Sequence, residues 1–135
     1  LALALTLAGA PLAQAQSAPA VRVELLENVP NPVTTSTTIA FEILPEVCAR
    51  SHVPTVSLNI YNVLVQVIAV PVLEGTPPVP LRNLKLGCGE YRAVWDGKQL
   101  DGQPAVTGVY YYQLTVDGER FTRKLIVQRR QGDAT

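Results

Sequence analysis

Histidine is the side chain best suited to moving protons near neutral pH, and this chain has one, His52, beside Ser51. A serine nucleophile needs a base within hydrogen-bond reach and an acid that orients the base. Adjacent residues in a strand or turn diverge, so Ser51 and His52 read as an ordinary polar turn, and no catalytic residue is expected. Cys48, His52 and Cys88 are side chains that zinc accepts. A structural zinc site takes four ligands and usually a close cysteine pair, and a fourth ligand of the right kind is missing. Asp96-Gly97 and Asp101-Gly102 bracket a loop that could be taken for a calcium site. An EF-hand loop needs oxygen ligands at alternate positions and a closing bidentate Glu, whereas Lys98 and Leu100 occupy this interior. The two Asp-Gly pairs read instead as turns, with the carboxylates accepting backbone N–H bonds and the glycines taking positive φ. No metal and no cofactor is expected.

The elements that must position these residues are strands. Val21, Val23 and Leu25 alternate with Arg22 and Glu24; Ile39, Phe41 and Ile43 with Thr38 and Glu42; Val56, Leu58 and Ile60 with Ser57 and Asn59. Period-two alternation marks a strand with one buried face. Val65 to Val70, Tyr91 to Trp95, Val109 to Val116 and Phe121 to Gln128 are further candidates, rich in β-branched and aromatic types. The sum is an all-β chain of about seven strands, the number of an immunoglobulin-like (fibronectin III-like) antiparallel sandwich. Asp117-Gly118, between two alternating runs, supplies the two positive φ angles of a type I′ hairpin. Pro71, Gly75, Pro77, Pro78 and Pro80 predict a surface crossover loop rather than a strand. Trp95 is in phase with Tyr91 and Ala93 and is expected to plug the core. If Tyr110 and Tyr112 join the core with Leu114 and Val116, Tyr111 faces outward as a candidate partner contact.

Residues 1–15 combine an apolar run from Leu1 to Ala10 with Ala13-Gln14-Ala15, the small-x-small pattern that signal peptidase accepts. An export signal cut after Ala15 is expected, its start truncated because the chain has no Met. Pro11, Gln14 and Gln16 interrupt the run before the roughly 18 apolar residues of a membrane span. The first cysteine after the cleavage region is Cys48, so an acylated N-terminal cysteine is not expected, nor is a membrane-spanning mature chain. Lys plus Arg total 11 and Asp plus Glu total 11, a balance that offers no field to draw in nucleic acid. Two cysteines in an exported chain are most simply a disulfide, Cys48 to Cys88, in an oxidising compartment; zinc ligation and free thiols are the alternatives. The expected organisation is a signal at 1–15, a lead-in and first strand at 16–26, one sandwich domain at 27–130 and a polar tail at 131–135. The expected location is the periplasm, the cell surface or the exterior.

A more specific pattern runs through these elements. It comprises Glu27-Asn28-Val29-Pro30-Asn31-Pro32, Ser36-Thr37-Thr38-Ile39, Val56-Ser57-Leu58-Asn59-Ile60-Tyr61-Asn62-Val63, Tyr91-Arg92-Ala93-Val94-Trp95-Asp96-Gly97, Asp101-Gly102-Gln103-Pro104-Ala105-Val106-Thr107-Gly108-Val109-Tyr110-Tyr111-Tyr112 and Thr122-Arg123-Lys124-Leu125. From Glu27 to Arg130 the chain resembles the C-terminal sorting domain of type IX secretion cargo, which is itself similar to the immunoglobulin-like domain of the flagellar hook-capping protein. The resemblance implies a sandwich of about seven strands, read by outer-membrane secretion machinery and often removed by a sortase as cargo is attached to surface lipopolysaccharide. It implies Trp95, Asp96, Gly97, Asp101, Gly102, Gly108 and Tyr110 as core and turn residues, and places recognition on the last strand, where Arg123 and Lys124 join Tyr111 as candidates. Three departures stand out. No cargo separates the signal from the domain, the cysteine pair is not a general family feature, and Val65 stands where the family's turn commonly has Gly. The last predicts a less strained connection after Leu64.

The expected function is therefore that of a non-enzymatic module, with the secretion machinery or another envelope protein as partner. The alternatives are a stand-alone adhesive or assembly module and a flagellar hook-cap-like piece. The latter is the weakest, because hook-cap proteins leave by the flagellar route and need no signal peptide.

Overall fold

A computed structural model describes residues 22–130. The expected signal at 1–15, most of the lead-in and the tail at 131–135 lie outside the described residues. Ten strands run in chain order: β1 (Val23–Leu25), β2 (Thr37–Ile43), β3 (Thr55–Tyr61), β4 (Val67–Ala69), β5 (Val72–Leu73), β6 (Val79–Pro80), β7 (Leu84–Lys85), β8 (Gly89–Trp95), β9 (Gly108–Val116) and β10 (Glu119–Val127). They form two antiparallel sheets, ordered β1-β2-β8-β5-β6 and β10-β9-β3-β4, with β7 pairing the start of β3. The expected sandwich is the observed fold, and its seven anticipated strands correspond to β1 to β4 and β8 to β10.

Two of the three additional strands, β5 and β6, come from the proline-rich stretch, which is a correction to the crossover loop expected there; the third, β7, follows it. β5 pairs with both β8 and β6, so it lies inside its sheet rather than over it. Two residues are enough because the prolines stand where no donor is needed. Leu81 N donates to Pro71 O at 3.0 Å, so the alternation of the ladder turns the Pro80 nitrogen away from β5 toward solvent.

Alternation explains the core. Ile39, Phe41 and Ile43 on β2 meet Ala93 and Trp95 on β8, and across the sandwich face Val56, Leu58 and Ile60 on β3 and Tyr110, Tyr112, Leu114 and Val116 on β9, all buried. Trp95 is fully enclosed, donates its indole N–H to Lys98 O at 2.9 Å and meets the Tyr110 ring edge-on at 6.2 Å. The β9–β10 hairpin closes through Asp117 and Gly118 at φ 51° and 84°, with Val116 opposite Glu119. Both φ angles are positive, as a type I′ turn requires.

A 3-10 segment, Pro45–Ser51, connects β2 to β3 and was not anticipated. Its backbone leaves the helical region between Cys48 and Arg50, which is too irregular to carry a helical hydrophobic period. Cys48 on this segment is bonded to Cys88, just ahead of β8, with Cα atoms 6.1 Å apart, so the expected pairing is the one formed.

Candidate functional site

The residues with chemical potential do not gather at one point. His52 Nε2 lies 2.6 Å from Asp117 Oδ2, while Asp117 Oδ1 accepts the Thr55 N–H at 3.0 Å. The Thr55 bond first, and His52 second, hold the Asp117 carboxyl below its ordinary pKa. The pair is half exposed and ties the start of β3 to the hairpin turn. The acid that meets His52 lies 65 positions away in sequence, beyond the reach of any local pattern. Asp96 Oδ1 accepts Lys98 N at 3.0 Å, and Asp101 Oδ1 accepts Gln103 N at 2.9 Å. Gly97 and Gly102 follow at φ 77° and 86°, so both Asp-Gly pairs are turns. Among the described residues no group of three His, Cys, Asp or Glu converges to hold a metal ion.

Arg129 received no role from its sequence position, yet it organises one end of the sandwich. Its guanidinium donates to Ala105 O at 2.9 Å, Thr34 O at 2.6 Å and Gly97 O. One planar fork thus joins the loops after β1, β8 and the Asp101 turn, which suits the rigid five-donor geometry of Arg. A Cβ on Gly97 would sit 2.2 Å from Thr35 O, so only Gly permits this approach. A second clasp is buried. Tyr112 Oη donates to Leu26 O at 2.7 Å and accepts Asn28 N at 3.0 Å, and Asn28 Nδ2 donates to Thr37 Oγ1 and Pro30 O. Tyr110 Oη donates to Val106 O at 2.7 Å, a tie from the start of a strand to backbone just upstream, with Gly108 at the head of that strand. Burial raises both tyrosine pKa values, keeping these hydroxyls protonated as donors. The motif residues Asn28, Trp95, Asp96, Gly97, Asp101, Gly102, Gly108 and Tyr110 are therefore parts of core and turns.

The candidate recognition residues lie on β9 and β10, in the β10-β9-β3-β4 sheet. Register puts Tyr61 opposite Tyr111, Tyr111 opposite Lys124, Gln113 opposite Thr122, and Thr115 opposite Arg120. Tyr111 is exposed, as expected from the burial of Tyr110 and Tyr112 on either side. Lys124 is its cross-strand neighbour, but Arg123 belongs to the opposite face, where its Nε donates to Leu25 O at 2.7 Å and ties β10 to β1. The three recognition candidates thus divide, with Tyr111 and Lys124 on one face and Arg123 on the other. A groove of about 480 Å³ crosses the outer face between the β3–β4 loop and β10, lined in part by Tyr61, Val63, Val65, Tyr111, Arg120 and Thr122.

The far wall of that groove is formed by Val63 and Val65 of the Val63-Leu64-Val65 tip, whose residues are 64%, 72% and 77% exposed. Asn62 Oδ1 accepts the N–H groups of Leu64 and Gln66 at 3.0 Å each and fixes the loop from inside. Val65 has φ 61°, which corrects the expectation of a less strained connection. The turn still needs a left-handed residue, and a β-branched side chain there costs more than the Gly it replaces.

The other boundary is the free edge of β10. Ile126 N donates outward to Asn31 Oδ1 at 3.1 Å, Gln128 N donates to Val33 O at 2.8 Å, and Val33 N donates to Ile126 O at 2.7 Å. The segment before β2 therefore covers the end of the β10 edge. By the same alternation the N–H and C=O groups of Arg120, Thr122 and Lys124 also point away from β9, and among the described residues nothing pairs with them. Of the last strand, on which the resemblance places recognition, the end at Ile126 and Val127 is thus covered.

No family model matches the chain, and no curated protein matches it. Among solved structures it is similar to dimeric latent PorU from Porphyromonas gingivalis, with a TM-score of 0.55 and 21% identity, over 80% of this chain and 9% of that one. The chain spans less than a tenth of that protein's length, and what the two share is the fold.

Proposed function

We propose that this chain is an exported, non-enzymatic recognition module of the type IX sorting kind, read by a protein of the outer-membrane secretion machinery for translocation or surface display. The observation that carries this reading is the division of labour within the motif. Its Asn, Asp-Gly, Gly, Trp and Tyr residues are spent on building the sandwich, while β10 keeps an edge at Arg120, Thr122 and Lys124, unpaired among the described residues, beside an open groove. An unpaired edge is a ready template for strand addition. The fold shared with a segment of PorU supports the architecture, and the Cys48–Cys88 bond supports export into an oxidising compartment. The disposition of His52, bound to Asp117 rather than to a nucleophile, supports a structural role for that pair.

A second reading, the stand-alone binding module, is favoured by the exposed apolar tip Val63-Leu64-Val65, a surface suited to a protein contact. A fusion experiment separates the two. A reporter placed ahead of Arg22 within the exported chain is expressed in a bacterium with a working type IX system. The expected outcome is transfer of the reporter to the cell surface or medium with the domain present, and periplasmic retention without it. Equal fates would overturn the sorting role. The whole domain is the unit to compare, because truncation after Phe121 would strip Leu125 and Val127 from the core.

A further inference from the structure

We infer that the Arg120–Lys124 edge takes an extended acidic segment of a partner protein as an added strand, with the pattern acidic, any, large apolar, any, acidic. This deepens the recognition reading above and rests on it, since it names the chemistry of the partner. Three observations converge on it. The outward N–H and C=O groups of Arg120, Thr122 and Lys124 are unpaired among the described residues, and the next outward group, Ile126 N, is already taken by Asn31. The docking length is therefore bounded at five residues of β10, from the hairpin turn to the covered end.

Charge then selects the occupant. Side chains of Arg120, Thr122 and Lys124 share the outer face, and the residues across from them on β9 and β3 are Thr, Gln, Ser, Asn and Tyr, with no carboxylate. An added strand places alternate residues directly opposite these side chains, about 5 Å away. A second copy of this edge is refused. Two-fold pairing centred on Thr122 sets Arg120 against the copy's Lys124, and pairing centred on Arg120 or Lys124 sets each cation against itself; like charges directly opposite destabilise a ladder. Carboxylates at the two flanking positions convert the same geometry into attraction. Between them, the residue opposite Thr122 lies at the mouth of the groove. A long apolar or aromatic side chain there lies over Thr122 toward Gln113 and Tyr111, with Val63 and Val65 as the far wall.

The test uses the full chain and acetylated nine-residue peptides of Thr with Glu at positions three and seven and Tyr at position five. Binding is read by amide shifts and by hydrogen exchange. The expected result is slowed exchange at Thr122 and Lys124 and a loss of affinity at high salt. The Lys-for-Glu peptide is expected not to bind. The exposed double substitution R120E/K124E keeps the core intact and is expected to reverse the preference, binding the Lys peptide and not the Glu peptide. Absence of any shift with the Glu peptide at millimolar concentration would overturn the inference. So would shifts confined to β1 or β4, or a preference unchanged by the double substitution. Binding without reporter transfer would leave the acidic-strand site standing while removing the sorting role. Transfer without peptide binding would mean that the machinery reads another surface.

Discussion

Single side chains divide between those the core cannot lose and one it would be better without. Trp95 is enclosed, and truncating a buried aromatic leaves a cavity that the two sheets cannot close. Trp95→Ala is expected to cost about 3–5 kcal/mol in chemical denaturation. Thr122→Ala, on the exposed face with one bond from Gln113, is expected to cost a small fraction of that; equal losses would contradict the placement of Trp95. Val65 is the opposite case. At φ 61° on an exposed tip, it carries the left-handed penalty without packing in return. Val65→Gly is expected to raise stability by about 1 kcal/mol, the relief exceeding the extra entropy that Gly brings to the unfolded chain. A fall in melting temperature would show that the valine is held by contacts this loop does not reveal.

At the scale of elements, the β9–β10 hairpin and the start of β3 are coupled through one carboxylate. Asp117 accepts from Thr55 N and contacts His52, and its pKa is lowered. Because the folded value lies below the unfolded one, its contribution is present above about pH 4 and is lost as the pH falls through the folded value. Asp117→Asn keeps a residue type that tolerates positive φ in a two-residue turn. Its unfolding free energy is therefore expected to fall less steeply than the parent's on acidification below about pH 4. Parallel pH profiles for the two proteins would assign the acid sensitivity elsewhere.

Across the whole molecule, long-range ties rather than sheet pairing alone hold the two layers in place. The Cys48–Cys88 bond joins the β2–β3 connection to the entry of β8 across a separation of 40 residues. The chain-entropy account makes such a closure worth about 4 kcal/mol. Replacing both cysteines with Ala is expected to lower the unfolding free energy by an amount of that order, and the melting temperature with it, while leaving the far-ultraviolet spectrum unchanged. The Arg129 fork, just after β10, joins three loops non-covalently, by a charged group donating to backbone carbonyls. Both devices link the ends of strands rather than the outer face of the β10-β9-β3-β4 sheet.

Period-two patterns are local, and local information was sufficient for β2, β3, β8, β9 and β10, for the Asp117-Gly118 turn, for the inward placing of Trp95 and for the outward placing of Tyr111. The two cysteines in a chain with an export pattern were likewise sufficient for the bond between them. The sequence by itself thus determined which residues face in, which face out and where the chain reverses, because each of these depends on neighbours within a few positions. It did not determine β5 and β6, whose two-residue pairings exist only because β8 supplies an adjacent edge. Nor did it reveal the acid that meets His52, the three carbonyls on Arg129, or the division of Arg123 from Lys124 between opposite faces. Only the tertiary structure decided these, and with them which part of the β10 edge stays open, because each depends on which segments the sandwich brings side by side.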